Sequence, residues 1–251
     1  MNEQQENKPL ISLQNVTKTY GEKTVVDDLS LDISEGEFVT ILGESGCGKS
    51  TLLKIINGLI TPESGSVSVN GQKIATPAPA ESKLVKLRRD IGYAVQGSVL
   101  FPHLDVAQNI GFVLTLDKKS KPEIAEAVER ARKIAGVEKE LLTRLPGQLS
   151  GGQAQRVGIA RSIAARPKLL LMDEPFGAVD EITRRSLQDE LSRIVKQEAL
   201  TCLFVTHDTA EALKLGSKVL ILKTGKIEQY DTPEKITQQP ATPYVNTLVN
   251  R

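Results

Sequence analysis

The chain has 251 residues, 39% apolar and 25% charged, and its 32 basic and 31 acidic side chains leave a formal charge of +1. This composition suits one large globular domain or two small lobes, and the near-neutral balance excludes a broad electrostatic footprint on nucleic acid. No run approaches the ~18 apolar residues needed to cross a bilayer, the stretch from Met1 to Lys8 has no apolar signal core, and the two cysteines, Cys47 and Cys202, make no disulfide framework. The expectation is a reduced, cytoplasmic protein.

Residues 10–42 read as strands. Ile11, Leu13 and Val16 alternate loosely, while Leu29, Leu31 and Ile33 alternate cleanly with Ser30, Asp32 and Ser34, the pattern of a half-buried strand. After a turn at Gly36, Phe38-Val39-Thr40-Ile41-Leu42 forms a buried strand that runs into a glycine-rich loop. Residues 50–60 read as a helix with Leu52, Ile55, Ile56, Leu59 and Ile60 on one side, and Ser64-Gly65 and Asn70-Gly71 flank Val67 and Val69 as a hairpin signal. Thr76-Pro77-Ala78-Pro79 is a loop, residues 83–89 a short basic helix and residues 91–95 a strand. From residue 97 to 149 the pattern is mostly helical, with Pro122 fitting a first turn and Ile124, Val128 and Ala131 making an apolar stripe. Strand, helix, strand, helix and hairpin then follow at residues 169–172, 184–197, 202–206, 209–215 and 218–229.

Gly43-Glu44-Ser45-Gly46-Cys47-Gly48-Lys49-Ser50 fits G-x-x-x-x-G-K-S, with an apolar strand before it and a helix after it. That is the context a phosphate cradle needs. Glycines let backbone N–H groups turn inward, and the helix N-terminus adds partial positive charge. Lys49 reaches for β- and γ-phosphates and Ser50, followed by Thr51, offers a hydroxyl to Mg²⁺. A ligand-free strand-to-helix turn would not require the Lys-Ser pair.

Asp173 follows four apolar residues, so its carboxylate emerges at a strand's carboxyl end, where open α/β sheets bind ligands. Asp173 suits Mg²⁺, which takes few protein carboxylates, and Glu174 suits the polarisation of an attacking water. Read without the cradle, the two are equally well solvated acids opening a loop. Ser150 is placed as a helix N-cap, with Gly151 and Gly152 permitting close backbone approach before Gln153. Such an N-terminus is an anion site whether or not an anion binds there.

Leu149-Ser150-Gly151-Gly152-Gln153, between the cradle and Leu169-Leu170-Leu171-Met172-Asp173-Glu174, resembles the nucleotide-binding subunit of an ABC transporter. The resemblance runs from Leu10 to about Asn250. It implies an α/β fold: a P-loop NTPase (RecA-like) core over residues 10–96 and 156–250, with an N-terminal antiparallel β subdomain and an inserted α-helical subdomain over 97–155, after a tail of residues 1–9. It implies ATP and Mg²⁺ as ligands. Residues 43–51 cradle phosphate, and Ser50, Gln96 and Asp173 serve the metal. Lys49, Glu174 and His207 carry hydrolysis, and Tyr20 stacks on adenine unless it is a half-buried strand-end tyrosine. Gly177-Ala178-Val179-Asp180 matches the loop between two nucleotide sites, with Asp180 at the seam, and His103 has no matching role.

The resemblance further implies a second copy of the chain, paired head to tail so that Ser150, Gly151, Gly152 and Gln153 meet the partner copy's nucleotide. It implies transmembrane permease subunits at the cytoplasmic face of the membrane and, indirectly, a solute-binding protein, but no nucleic acid. Phe101-Pro102-His103-Leu104-Asp105-Val106 resembles the permease-docking segment of uptake systems, though such a patch also suits ordinary packing. The run from Asp173 to Arg185 is most like importers of glycine betaine, carnitine and choline. A chain ending at Arg251 leaves no room for the C-terminal regulatory domain of many such importers. Another importer, an exporter, a non-transport ABC ATPase and an ATP-clamped dimerisation module are the alternatives.

Overall fold

Alternating side chains near the N-terminus and buried apolar runs further on become strands in the computed structural model, which describes residues 8–75, 81–97, 99–177 and 179–250. The expected loop Thr76-Pro77-Ala78-Pro79, residues 1–7 of the expected tail, and Ala178 lie outside the described residues.

In chain order the strands are β1 (Ile11–Tyr20), β2 (Lys23–Ile33), β3 (Phe38–Leu42), β4 (Ser64–Val69), β5 (Gln72–Ala75), β6 (Ile91–Ala94), β7 (Leu169–Asp173), β8 (Thr201–Val205), β9 (Lys218–Lys223) and β10 (Lys226–Asp231). The helices are α1 (Lys49–Ile56), α2 (Glu81–Arg89), α3 (Val106–Leu116), α4 (Lys121–Ile134), α5 (Gly151–Ala164), α6 (Glu181–Gln197), α7 (Thr209–Leu215), α8 (Pro233–Gln238) and α9 (Pro243–Val249). The chain divides into two compact units, residues 1–88 with 206–251, and residues 89–205. The expected helical lobe of residues 97–155 lies wholly within the second.

In the first unit, an antiparallel sheet has the order β2-β1-β4-β5. Leu29, Leu31 and Ile33 are buried along β2 while Ser30 and Asp32 face out, as the alternation requires. The tight turn between β4 and β5 uses Asn70 and Gly71, both at positive φ (49° and 72°), the backbone a two-residue hairpin demands. Elsewhere in the unit β9 runs antiparallel to β10 and parallel to β3. β3 is buried at every residue, and its Thr40 hydroxyl donates to the Ala212 carbonyl at 3.0 Å.

Helix α1 stops at Ile56, earlier than the apolar spacing suggests. Gly58 takes φ +63°, and Arg88 donates to the carbonyls of Gly58 (2.6 Å) and Asn57 (3.4 Å), so the last turn is closed by glycine and guanidinium. Leu59, expected on the buried face, is consequently exposed. Two short helices escape the apolar pattern altogether. Both α8 and α9 open on Thr-Pro, where Thr232 and Thr242 cap the first turn and proline occupies its start. They close an apolar cluster of Leu42, Ala212, Val219, Ile221, Ile236 and Val245.

In the second unit β6, β7 and β8 run parallel. β7 and β8 are buried throughout, which explains their unbroken apolar runs. Helices α3 and α4 each begin with a capping box, Asp105 with Gln108 and Ser120 with Glu123. The fully buried Asn109 fastens the segment before α3. Its side chain accepts from Phe101 N–H (2.9 Å) and donates to the carbonyls of Phe101 (3.1 Å), Leu104 (2.9 Å) and Asp105 (3.0 Å). Replacing Asn109 by Ala strands these backbone groups in the interior, and the expected loss is about 2–4 kcal/mol of unfolding free energy. Urea denaturation measures it.

Candidate functional site

In the first unit the loop of residues 43–50 joins β3 to α1 in a backbone that only glycine can supply. Gly43 has φ 151° and Gly48 φ 109°. A Cβ on Gly43 would sit 2.3 Å from the Leu222 carbonyl oxygen, and one on Gly48 would sit 2.1 Å from that of Val25. Two neighbouring segments thus press on the loop. The turn between β9 and β10 adds a hydrogen bond, Gly225 N–H donating to the Cys47 carbonyl at 3.1 Å, and its own carbonyl accepts from Asp27 N–H at 3.0 Å. No sequence motif announces that buttress.

Helix α1 starts at Gly48 without a side-chain cap among the described residues. Its first amides and its dipole therefore make an anion site. Lys49 is buried, and its ammonium donates to the carbonyls of Gly43 (2.7 Å) and Glu44 (2.9 Å). The cationic head is folded back over the loop that precedes it. A cradle whose walls exclude any Cβ, with a lysine over it and the start of a helix beneath, fits a polyphosphate. Ser50 and Thr51 continue the first turn, both half-buried. Glu44, Ser45 and Gly46 form the exposed rim, and Cys47 is buried.

The other predicted residues of this unit stand at element ends. Tyr20 closes β1 with its ring exposed and the Lys18 ammonium 5.2 Å from the ring centroid. His207 is exposed in the turn between β8 and α7. That turn is held from below by a residue the sequence reading passed over. Glu211 is buried, its carboxylate accepts from the Thr206 hydroxyl at 2.5 Å, and the same hydroxyl accepts from Asp208 N–H at 3.0 Å. Asp208 in turn caps α7 through Glu211 N–H at 3.0 Å. The residues on both sides of His207 are thereby fixed.

In the second unit Asp173 ends β7, is 3% exposed, and lies near Tyr93. Burial first, and the Asp173 charge second, push the Tyr93 phenol up to about 12, so this tyrosine stays protonated at any physiological pH. Glu174 follows at φ +48°, an uncommon backbone for a residue with a long side chain. Three bonds hold it there: its N–H donates to the Val205 carbonyl (3.0 Å), and its carbonyl accepts from Gly177 N–H (3.3 Å) and Gln155 Nε2 (3.3 Å). Strain over-determined in this manner is typical of functional positions. The Gln96 amide donates to the Glu174 carboxylate at 3.2 Å, so two predicted residues separated by 78 positions meet. Gln155, buried in α5, is a positioning residue that the sequence reading missed. Its signal was a polar side chain within the apolar spacing of that helix.

Ser150 caps α5. Its hydroxyl accepts from Gln153 N–H at 3.2 Å, and Ser150 N–H donates to the Gln153 side chain at 3.0 Å. Gly151 and Gly152 are thus the first residues of a helix whose N-terminus is exposed. Asp180 caps α6 by accepting from Thr183 N–H at 3.0 Å, a bond that holds its carboxyl below the usual range. His103 is exposed, edge-on to Phe101 at 6.2 Å. Between α3 and α4 lies a groove of about 560 Å³, walled by Leu104, Gly111, Phe112, Ile124, Val128 and Leu142 among others.

The chain is similar to known proteins over most of its length. Residues 26–177 match the family model described as ABC transporter. The carnitine transport ATP-binding protein OpuCA of Listeria monocytogenes is 44% identical over 96% of this chain and 60% of its own length. The choline transport ATP-binding protein OpuBA of Bacillus subtilis is 44% identical over 96% and 62%. This chain therefore spans about three fifths of those relatives. The glycine betaine uptake system ATP-binding protein YehX of Escherichia coli is 42% identical over 96% of this chain and 77% of its own. Among solved structures, the dimeric bacterial ABC transporter cassette MJ0796 superposes with a TM-score of 0.84 at 37% identity, covering 89% of this chain and 98% of that one. A post-hydrolysis dimer of that cassette, bound to ADP and Pi, gives 0.83 at 36% identity, with the same coverage.

Glu211→Ala removes the acceptor below His207, and the expected loss is about 1–3 kcal/mol of stability. Glu211→Gln, which still accepts from Thr206, recovers part of it. Paired thermal and urea melts of the two variants check the order.

Proposed function

The chain belongs to the ABC transporter family, and on that premise we propose that it is the ATP-binding, ATP-hydrolysing subunit of an importer. The observation that carries this reading is the cradle of residues 43–50, with Lys49 held over it. Lys49 exchanges its two carbonyl partners for phosphate oxygens, which gain a full positive charge in a partly dry loop. The first amides of α1 bind the same anion. Tyr20, exposed at the end of β1, offers its ring to adenine.

Glu174 is the group we assign to the attacking water, with His207 as its partner at the γ-phosphate. Phosphoryl transfer needs an in-line water and charge stabilisation more than covalent help. The left-handed backbone at Glu174 and the Gln96 amide on its carboxylate aim that oxygen before substrate arrives. Asp173, Ser50 and Gln96 are assigned to Mg²⁺ by kinship, and one carboxylate with a hydroxyl suffices, because this ion keeps waters and phosphate oxygens as its other ligands. When bound, the ion neutralises phosphate charge.

Two copies are proposed to face each other head to tail, each lending the exposed N-terminus of α5 at Ser150, Gly151, Gly152 and Gln153 to the other's nucleotide. Asp180 and the loop before it stand at that seam. No described helix is long and apolar enough to cross a membrane. We propose separate permease subunits, approached from the cytoplasmic face, for which the apolar groove between α3 and α4 is the seat. Residues 97–155, which carry that groove and the cap of α5, are proposed as the helical signature lobe. Kinship with OpuCA, OpuBA and YehX favours a quaternary-amine osmoprotectant as the solute, delivered by a binding protein.

Glu174→Gln is expected to keep ATP binding and to lower turnover by about 10²- to 10⁴-fold, the range of a general base. A near-normal rate removes Glu174 from that role. Co-purification of the chain with a permease and a solute-binding protein, followed by uptake of labelled glycine betaine, carnitine and choline, tests the transport reading.

A further inference from the structure

A cavity of about 480 Å³ lies between β5 and α2, and no part of the scheme above uses it. Its walls are Gln72, Lys73 and Ile74 of β5 and Lys83, Leu84 and Lys86 of α2. Every charged residue of this lining is a lysine, and no carboxylate borders the space. The exposed side chains of Lys73, Lys83 and Lys86 make no hydrogen bond or ion pair among the described residues. Strand β5 has no acidic residue, and the one in α2, Glu81, is engaged by Arg88 at 2.8 Å. Arg88 in turn is committed to the carbonyls that end α1, so that pair is taken up in closing a helix.

Like charges gathered without a counter-ion weaken a fold unless something offsets them. Lys83 and Lys86 stand three apart on one helix, where their side chains are neighbours and repel. A lysine on an edge strand such as β5 discourages pairing with another chain, which accounts for Lys73 by itself. It does not account for two more lysines on the other wall of the same cavity. The apolar part of the lining is buried, with Ile74 5% and Leu84 8% exposed. Leu84 also packs against the end of α1, since a Cβ on Gly58 would meet its side chain at 3.0 Å. The cavity is therefore backed by packed core and bordered by cations.

The chemistry of the lining narrows the ligand. An ammonium binds phosphate as a point charge, whereas the planar fork that suits a carboxylate belongs to arginine, and no arginine lines the space. The volume falls within the ~300–1,000 Å³ of small-molecule sites. The Gln72 amide both donates and accepts, which suits hydroxyl groups on a carbon skeleton. We propose that this cavity is a second anion site, sharing no residue with the cradle of residues 43–50, and that it takes a soluble phosphorylated compound with two or more negative charges. Lys73, Lys83 and Lys86 hold the phosphate, and Gln72, Ile74 and Leu84 lie against the rest of the ligand. The inference does not depend on reading the cradle as an ATP site.

Pyrophosphate is the probe, titrated by calorimetry into the nucleotide-free chain at about 0.15 M salt, where charges more than ~8 Å apart are largely screened. A pyrophosphate is expected to bind beyond the one that the cradle takes. Lys49→Ala removes the cradle's, and the combined Lys73→Gln, Lys83→Gln and Lys86→Gln substitutions remove the other. In the Lys49→Ala chain each single lysine substitution raises the remaining Kd about three- to tenfold, the worth of one exposed charge-assisted bond. A control with Lys118→Gln, Lys139→Gln and Lys196→Gln, all exposed elsewhere, removes the same charge and leaves binding unchanged. Absence of pyrophosphate binding in the Lys49→Ala chain overturns the proposal, and so does an equal loss in the control. Capture by phosphatidylglycerol vesicles through Lys73, Lys83 and Lys86, without pyrophosphate binding, overturns it too, as the mark of a membrane-facing patch. If Lys49→Ala changes nothing while the triple lysine variant abolishes all binding, the cradle reading fails and the second site stands.

Discussion

The backbone at Gly43 and Gly48 is the constraint around which the first unit is arranged. Both residues lie against carbonyl oxygens, of Leu222 and Val25, with no space for a side chain. Contact this close keeps the loop from relaxing, so the amides of α1 and the Lys49 ammonium stay aimed. Strand β2 supplies one wall and β9 the other, and the Gly225 amide fastens the Cys47 carbonyl. Sheet, hairpin and helix are thus parts of one clamp on eight residues. The cost is conformational: every other backbone choice is closed off, and Lys49 must be buried among carbonyls until an anion competes for it.

The second unit solves a different problem, the aiming of a carboxylate. Glu174 follows a buried parallel strand, takes a left-handed backbone, and is held by Val205, Gly177 and Gln155. Nothing in an ordinary strand-to-loop exit requires this geometry. It is stable because the bonds around it exceed the ~1–2 kcal/mol that a left-handed residue costs. The Gln96 amide then restricts the carboxylate itself. Histidine 207, in the first unit, is treated similarly, with Thr206, Asp208 and Glu211 bonded around it. In both places the catalytic candidate is exposed or half-exposed while some of the groups that orient it, Val205 and Gln155 in one and Thr206 and Glu211 in the other, are buried.

The surface features obey the same division of labour. The cap at Ser150 exposes the N-terminus of a helix whose remainder is buried core. The groove between α3 and α4 rests on a segment stapled by Asn109, so its wall is rigid although it is open to solvent. Rigid supports under exposed groups suit the partner contacts proposed for these surfaces.

Much of this was legible in the sequence by itself. Period-two alternation located β2, unbroken apolar runs located β3, β7 and β8, and the Asn70-Gly71 pair located a hairpin, because these patterns report local burial and turn chemistry directly. The order Gly43 to Ser50, with strand before and helix after, located the tight loop between β3 and α1, and the family resemblance followed from motifs at fixed spacing. Helix α1 was read too long, since spacing cannot see Arg88 capping it from another helix, and α8 and α9 were missed because six or seven residues carry too little periodicity. Only the tertiary structure decided that Gly225 braces the loop, that Gln155 and Gln96 hold Glu174, and that Glu211 underlies His207. Apart from Glu211, five residues from its partner Thr206, these are contacts between residues distant in the chain, fixed by how elements pack, and a linear pattern holds no record of which polar group meets which.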